Sequence, residues 1–422
     1  MNFIKTPVKG MPEQLPASME LREYIIRKIK DNYKQFGFSL ISTPHIEHIE
    51  NLTGRQGGEN EQLIFKILKR GEKLEKAEGI NDLCDMGLRY DLTVPLARFY
   101  ANNSDKLTFP FKAVQVGDVF RADRPQKGRF RQFTQCDIDI IGDNTVMAEI
   151  ELITATMNML NQLGLEGAKV RINDRCILKA MALSCDFDEN NLDNIYIVLD
   201  KMDKIGTEGV VQNLLEMGYD KQNIEKYCEY FNQISSFEKF KEMVENNQIN
   251  YLDKKVVEDL QIIIDCVNKV KDEKSQIVFD PTLVRGMSYY TGPIFEIELM
   301  GYGLSVAGGG RYDKMIGKFC GKDVPACGFS IGLERIISII TENNLIKLEN
   351  IKSTAILVAK DLETSKLDKV FALANLLRKQ GQNVMVAQRN NNVRFQKDKL
   401  IEIGYNNIIE MFNDTNINNI LK

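Results

Sequence analysis

Between Phe111 and Gly142 two β-like runs, FKAVQVGDVF and RQFTQCDIDIIG, flank a basic turn, RADRPQKGRF. This pair constrains the fold most, because it calls for adjacent strands with a charged connection held outside the sheet. Same-face neighbours along a strand recur about every 7 Å. Two strands joined by this loop could therefore hold Arg121 and Arg129 on one face as a platform for a polyphosphate, with Phe133 free to stack on a base. An ordinary hairpin with exposed charges fits the spacing equally well. Strand alternation puts Gln135, Asp137 and Asp139 on one face as a cluster of acceptors.

Around the pair, further short β-like runs and helical stretches predict an antiparallel sheet with a few helices. Met19 to Phe36 repeats apolar residues at helical spacing and Gly37 stops it, leading into a strand over Phe38 to Ser42 that ends at Thr43-Pro44. A helix over Val94 to Ala101, a second over Thr145 to Leu163 and a strand over Val170 to Asp174 follow. From Phe187 to Val270 the pattern turns helical and charged. Strand signals resume at Ile277 to Phe279, Ile294 to Met300 and Leu304 to Ala307, before a helix over Leu333 to Glu342. The reading is an α+β domain (residues 1–186 and 271–343) with a helical insertion (187–270). After a polar connection, β-α-β-α-β periodicity marks a small α/β domain at 353–422.

The inventory narrows the chemistry. Only two histidines occur, His45 and His48, so a Ser-His-Asp triad or a His-ligated metal is nearly excluded, and no metal ligands are assigned from side chains. Eight cysteines never form a C-x-x-C pair and read as reduced packing thiols. No run of about 18 apolar residues is present to span a bilayer, and MNFIKTPVKGMPEQLP is too polar for a signal peptide. A cytoplasmic protein without membrane partners is expected. Net charge is −4, which argues against simple nucleic-acid coating and against a DNA partner. Residues 352–422 nevertheless hold 11 Lys and Arg against 7 Asp and Glu, a basic end on an acidic body. That balance suits a shaped, tRNA-like partner or a merely solvated surface.

FRADRPQKGRFRQF resembles the second signature of class II aminoacyl-tRNA synthetases, and Gly328-Phe-Ser-Ile-Gly332-Leu-Glu-Arg335 the third. The segment Gly37 to Pro44 with its preceding helix is similar to the first, which in the family forms a dimer interface, so a homodimer is implied. Leu283-Val-Arg-Gly-Met-Ser-Tyr-Tyr-Thr-Gly292 and Ala307-Gly-Gly-Gly-Arg-Tyr-Asp313 resemble segments of histidyl-tRNA synthetases in particular.

The resemblance implies ATP with Mg²⁺, L-histidine and tRNA(His) as partners. It implies Arg121 and Arg285 as catalytic groups on the α-phosphate, and Asp123, Arg129, Phe133 and Arg335 as further ATP contacts. Asp91, Thr93 and Gln135 would hold the α-amino group, and Asp139 with Tyr290 the imidazole. Tyr289 would line the pocket, Gly308 and Gly309 would shape its floor, and Arg124, Gln126 and Lys127 would meet the tRNA acceptor end. Ser288 stands where the family usually has aspartate. Two alternatives remain: a synthetase-like regulatory subunit of ATP phosphoribosyltransferase that does not aminoacylate, and a histidine-activating paralogue that does not charge tRNA. Two other signals are discounted. AGGGRYD lacks a following helix that would make it a dinucleotide loop, and Lys201-Met-Asp-Lys204, similar to a class I synthetase loop, lies in the helical insertion.

Overall fold

The computed structural model describes residues 3–53, 58–79, 82–126, 129–285, 289–346 and 352–416. The described residues form two compact units, one drawn from 1–14 and 22–346, the other from 15–21 and 347–422.

The chain enters through helix α1 (Pro16–Gln35), which buries Ile25, Ile26, Ile29 and Tyr33 at helical spacing. Gly37, at φ +79°, ends it: Gly37 N–H donates to the Lys34 carbonyl and Phe38 N–H to that of Tyr33. Of the strand expected over Phe38 to Ser42, β1 (Ser39–Leu40) pairs in register and Ile41 N–H adds a bond to the Val114 carbonyl, before the run ends at Thr43-Pro44. Then come β2 (Ile46–His48), α2 (Ile49–Leu52), β3 (Lys66–Leu68), α3 (Glu72–Glu75) and β4 (Cys84–Leu88), followed by α4 (Thr93–Asn103), β5 (Phe111–Phe120), β6 (Gln132–Ile141), α5 (Met147–Gln162), β7 (Ala168–Asp174) and α6 (Arg175–Leu183). The sheet of β2, β4 and β3, in the order β2-β4-β3, was not legible from the short runs that build it.

The helical stretch is α7 (Leu192–Leu199), α8 (Met202–Glu216), α9 (Lys221–Gln233), α10 (Phe237–Glu245) and α11 (Lys254–Val270). Its starts are written in capping residues. Asp220, Ser236 and Asp253 each accept backbone N–H groups of the first turn they precede. The chain then returns to the sheet as β8 (Gln276–Phe279), β9 (Pro293–Leu299), β10 (Leu304–Arg311), α12 (Asp313–Cys320), β11 (Ala326–Gly332) and α13 (Leu333–Glu342).

The central sheet runs β1-β5-β6-β11-β10-β9-β7-β8. Its six inner strands, β5 to β7 in that order, pair antiparallel, while β1 and β8 add in parallel at the edges. Contrary to the sequence reading, α12 opens directly after AGGGRYD. It connects two antiparallel strands, so the segment is still no dinucleotide βαβ unit.

The second unit holds the parallel sheet β13 (Asn383–Gln388), β12 (Ser353–Val358), β14 (Asn407–Met411) with helices α14 (Leu367–Lys379) and α15 (Val393–Glu402). Central strand β12 is apolar on both faces: Ile356 and Val358 pack with Val370 and Leu373 of α14, Ala355 and Leu357 with Leu400 of α15. Among the described residues no helix is long and apolar enough to cross a membrane.

One buried ion pair fastens the end of β10 to α5. Arg311 reaches Glu149 with Nε at 2.7 Å and Nη2 at 2.9 Å, and donates further to the Asp143 and Thr145 carbonyls. Glu149 is fully buried. Without Glu149, Arg311 keeps Asp313 at 3.3 Å and the two carbonyls but loses its bidentate partner, so Glu149→Ala should cost about 1.5–3 kcal/mol in urea unfolding; a loss below about 1 kcal/mol would show that the pair does not hold these elements together.

Candidate active site

Directly opposed residues of an antiparallel ladder share a sheet face. The register therefore draws one row across six strands: Gln115, Asp137, Ser330, Gly308, Glu296 and Arg171. Five of the six are polar, and Gln115, Asp137 and Arg171 are buried. The gap in the row is filled from outside. A Cβ at Gly308 would lie 1.9 Å from Arg285 Nη1, so the guanidinium lies across the bare backbone. There Arg285 Nη1 donates to Glu296 Oε2 at 3.0 Å. At Gly309 a Cβ would meet the Gly328 carbonyl oxygen at 1.9 Å, which is why the neighbouring strands can close here.

Over the row lies a cavity of about 460 Å³. Of the residues singled out for histidine, Asp91, Thr93, Gln135, Tyr289, Tyr290 and Gly308 line it, together with Arg121 and Arg285. Asp91 Oδ1 accepts the Val94 N–H and so fixes the start of α4 beside the cavity. The Tyr289 and Tyr290 rings lie 4.7 Å apart as one wall. Asp139 and Gly309 are not lining residues. Asp139 accepts the Tyr312 hydroxyl at 2.5 Å, and the Tyr312 ring meets that of Tyr289 edge-on at 6.0 Å, so the carboxyl sits one layer behind the tyrosine wall.

A second cavity, about 530 Å³, gathers Arg121, Asp123, Arg129, Phe133 and Arg335. Tyr90, Arg121, Asp200, Gly332 and Arg335 line both cavities and form their junction. Arg121 is held there by three contacts: Nε donates to the Tyr90 carbonyl at 3.1 Å, and the guanidinium lies 4.2 Å from the Tyr90 ring centre and 5.1 Å from that of Phe133. Phe133 thus packs against the arginine expected to work beside it. Arg335 donates to the Ser305 carbonyl. Its neighbour Glu334 takes a bidentate bond from Arg22 of α1, at 2.6 and 2.9 Å, which anchors the start of α13. Asp123 and Arg129 approach to 3.6 Å across the turn. Arg124 and Gln126 are exposed on that turn; Lys127 and Ser288 lie outside the described residues.

The floor is unusual electrostatically. Gln135 Oε1, Asp137 Oδ1 and Asp139 Oδ2 are buried and have no hydrogen-bond partner. Burial pushes the Asp137 carboxyl up to about 7, and nearby Asp91 adds to the shift. Burial also lifts Asp139 well above the ordinary range, with Asp137 beside it. Buried acceptors of this kind await donors, and a carboxyl held near neutrality is a common mark of a functional site. Among the described residues no group of three or more His, Cys, Asp or Glu side chains is arranged to hold a metal.

Sequence reasoning did not single out Tyr90, Ser330, Glu296 or Asp200. Alternation along β9 could have placed Glu296 on the polar face. Asp200 comes from the helical insertion, and no spacing links it to the sheet.

The chain matches the family model described as histidyl-tRNA synthetase over residues 10–336. It is 39% identical over 426 residues to the histidine--tRNA ligase of Leifsonia xyli subsp. xyli, covering 97% of this chain and 96% of that one. It is 35% identical to the histidine--tRNA ligase of Christiangramia forsetii, covering 89% and 85%. The crystal structure of histidyl-tRNA synthetase from Nostoc sp. PCC 7120 superposes with a TM-score of 0.76 at 26% identity, over 96% of this chain and 90% of that one. A Bacillus halodurans C structure described as an ATP phosphoribosyltransferase regulatory subunit/histidyl-tRNA synthetase also reaches 0.76, over 97% and 99%, but at 21% identity it speaks to the fold alone. With its joined cavities, its three signatures and a match across most of its length, the chain belongs to the histidyl-tRNA synthetase family.

Proposed function

We propose that this chain is a histidine--tRNA ligase that joins L-histidine to ATP as histidyl-adenylate, releasing pyrophosphate, and then transfers the histidyl group to tRNA(His), releasing AMP. The observation that carries the reading is the meeting of two unlike cavities: one floored by buried acceptors, the other rimmed by arginines, with Arg121 and Arg335 at the junction and Arg285 beside it.

In this reading the α-ammonium group of histidine is held by Asp91, Thr93 and Gln135, with Asp137 beneath. The imidazole lies against Tyr289 and Tyr290, with Asp139 and Tyr312 in the layer behind, over the floor at Gly308. Buried acceptors left unpaired by an apolar side chain would discriminate against it. Adenine and ribose occupy the cavity of Asp123, Arg129 and Phe133, and Arg335 takes phosphate.

The histidine carboxylate attacks the α-phosphorus between Arg121 and Arg285, whose fixed charges stabilise the negative charge that develops there. Mg²⁺ bound with ATP would neutralise the charge of its phosphates. The tRNA terminal ribose hydroxyl then attacks the adenylate carbonyl, with Arg124, Gln126 and Lys127 meeting the acceptor end. No covalent enzyme intermediate is needed, so positioning and electrostatics carry the rate. The enzyme works as a cytoplasmic homodimer, built from a catalytic domain (1–186 and 271–343), a helical insertion (187–270) and the C-terminal module (353–422).

Purified protein should catalyse histidine-dependent ATP–pyrophosphate exchange and charge tRNA(His). Activity in neither assay would favour a regulatory subunit, and exchange without charging a paralogue. Arg285→Ala should lower kcat for exchange by about 100-fold or more without altering the circular dichroism spectrum; undiminished exchange would reject its role.

Asp137 gives a pH-dependent test. An aspartate in the unfolded chain ionises near 4, whereas this one ionises at about 7 in the fold. Its ionisation therefore weakens the fold progressively as pH rises from about 4 to about 7, and by a constant amount above. Asp137→Asn should raise the urea midpoint more at pH 8 than at pH 5 while weakening histidine binding; a midpoint gain that does not grow with pH would contradict the assignment.

A further inference from the structure

Arg171 occupies the far end of the polar row, opposite Glu296 and next but one to the backbone on which Arg285 lies. Its side chain is 8% exposed and is surrounded by four carboxylates. Nε donates to Asp280 at 2.6 Å, and Nη1 donates to Glu298 at 3.1 Å and to Asp203 at 3.2 Å. Those two bonds use both Nη1 protons. The Oε1 of Glu296, 3.8 Å from the same nitrogen, is left with electrostatic attraction alone, and its Oε2 is committed to Arg285.

Three of the four carboxylates belong to β9 or to the segment that leaves β8. Asp203 does not: it sits on α8, in the helical insertion, three residues beyond Asp200 at the junction of the cavities. The segment Lys201 to Lys204, set aside above as a chance likeness, is thus where the insertion meets the charged row.

We propose that Asp203, by occupying one Nη1 proton of Arg171, keeps Glu296 free to hold Arg285, so that the seating of the helical insertion on the sheet positions the arginine used in adenylate formation. When Asp203 lifts away, Glu296 Oε1 at 3.8 Å is the carboxylate beside that nitrogen not already bonded to it. The carboxylate turns toward Arg171 and its grip on Arg285 loosens. Asp203, Arg171 and Glu296 are positioning residues, and the relay rests on the assignment of Arg285 to the α-phosphate.

The test is steady-state histidine-dependent pyrophosphate exchange by the full-length protein. Asp203 is 69% exposed, so its replacement should leave the fold intact. Asp203→Ala should lower kcat about 3- to 10-fold, the scale of an ion pair partly screened by solvent, with KM for histidine and ATP changed less than about twofold. Asp203→Asn keeps an oxygen that can accept the Nη1 proton, and should restore kcat to within about twofold of the parent. A structural role alone would not separate these two variants. Normal kcat in Asp203→Ala, or equal loss in both variants, beside an impaired Arg285→Ala would overturn the relay while leaving the catalytic assignment standing. Undiminished exchange by Arg285→Ala would overturn both.

Discussion

The site depends on the missing side chain at Gly308. A methyl group there would collide with Arg285, which lies flat on the sheet between Glu296 and the tyrosine wall. Without that close approach the guanidinium would stand off from the row, and its charge would no longer lie on the floor of the first cavity, beside the junction. The next two glycines of the run extend the same economy of space. A Cβ at Gly309 would meet the backbone of β11 and one at Gly310 the Pro293 carbonyl oxygen at 2.6 Å. Close packing of main chain against main chain leaves few ways for this part of the sheet to relax.

Around that platform the site keeps its unpaired acceptors and its arginines on different elements. Buried oxygens of Gln135, Asp137 and Asp139 line up along β6, while Arg121, Arg285 and Arg335 approach from three different elements. Each arginine is fixed by protein groups: Arg121 by a carbonyl and two rings, Arg285 by Glu296, Arg335 by the Ser305 carbonyl. Fixing charged groups before substrate arrives is what makes them effective on developing charge, since little reorganisation remains to be done.

Much of this was legible in the sequence, for reasons that differ by element. Periodicity announced α1, α4, α5, α13, the helical character of the insertion and most strands of the central sheet, because amphipathic patterning is local; the strand of β11 was expected only from the resemblance of Gly328 to Arg335. The pairing of β2, β3 and β4 into a separate small sheet and the helix α12 were not read, because their runs are too short for a pattern to rise above chance. At the site, Asp91, Gln135, Tyr289 and Tyr290 were placed beside the cavity they were expected to line. Asp139 carries the same strand phase but is screened by Tyr312, a contact 173 residues away in sequence. Asp200 and Asp203 were illegible as site residues because only the docking of the insertion brings them to the sheet.

The row of six residues also governs how such a chain can vary. Each member comes from a different strand, and a strand alternates faces at every residue. A single-residue insertion or deletion inside β5, β6, β7, β9, β10 or β11 would turn that strand's member to the opposite face and break the row at one point, unless a bulge absorbs it. One such bulge already lies between Ser305 and Ala307 of β10, and Gly308 beyond it keeps its place opposite Glu296. Change in length is therefore tolerated in the connections and at bulges, and elsewhere the strands drift by substitution in place.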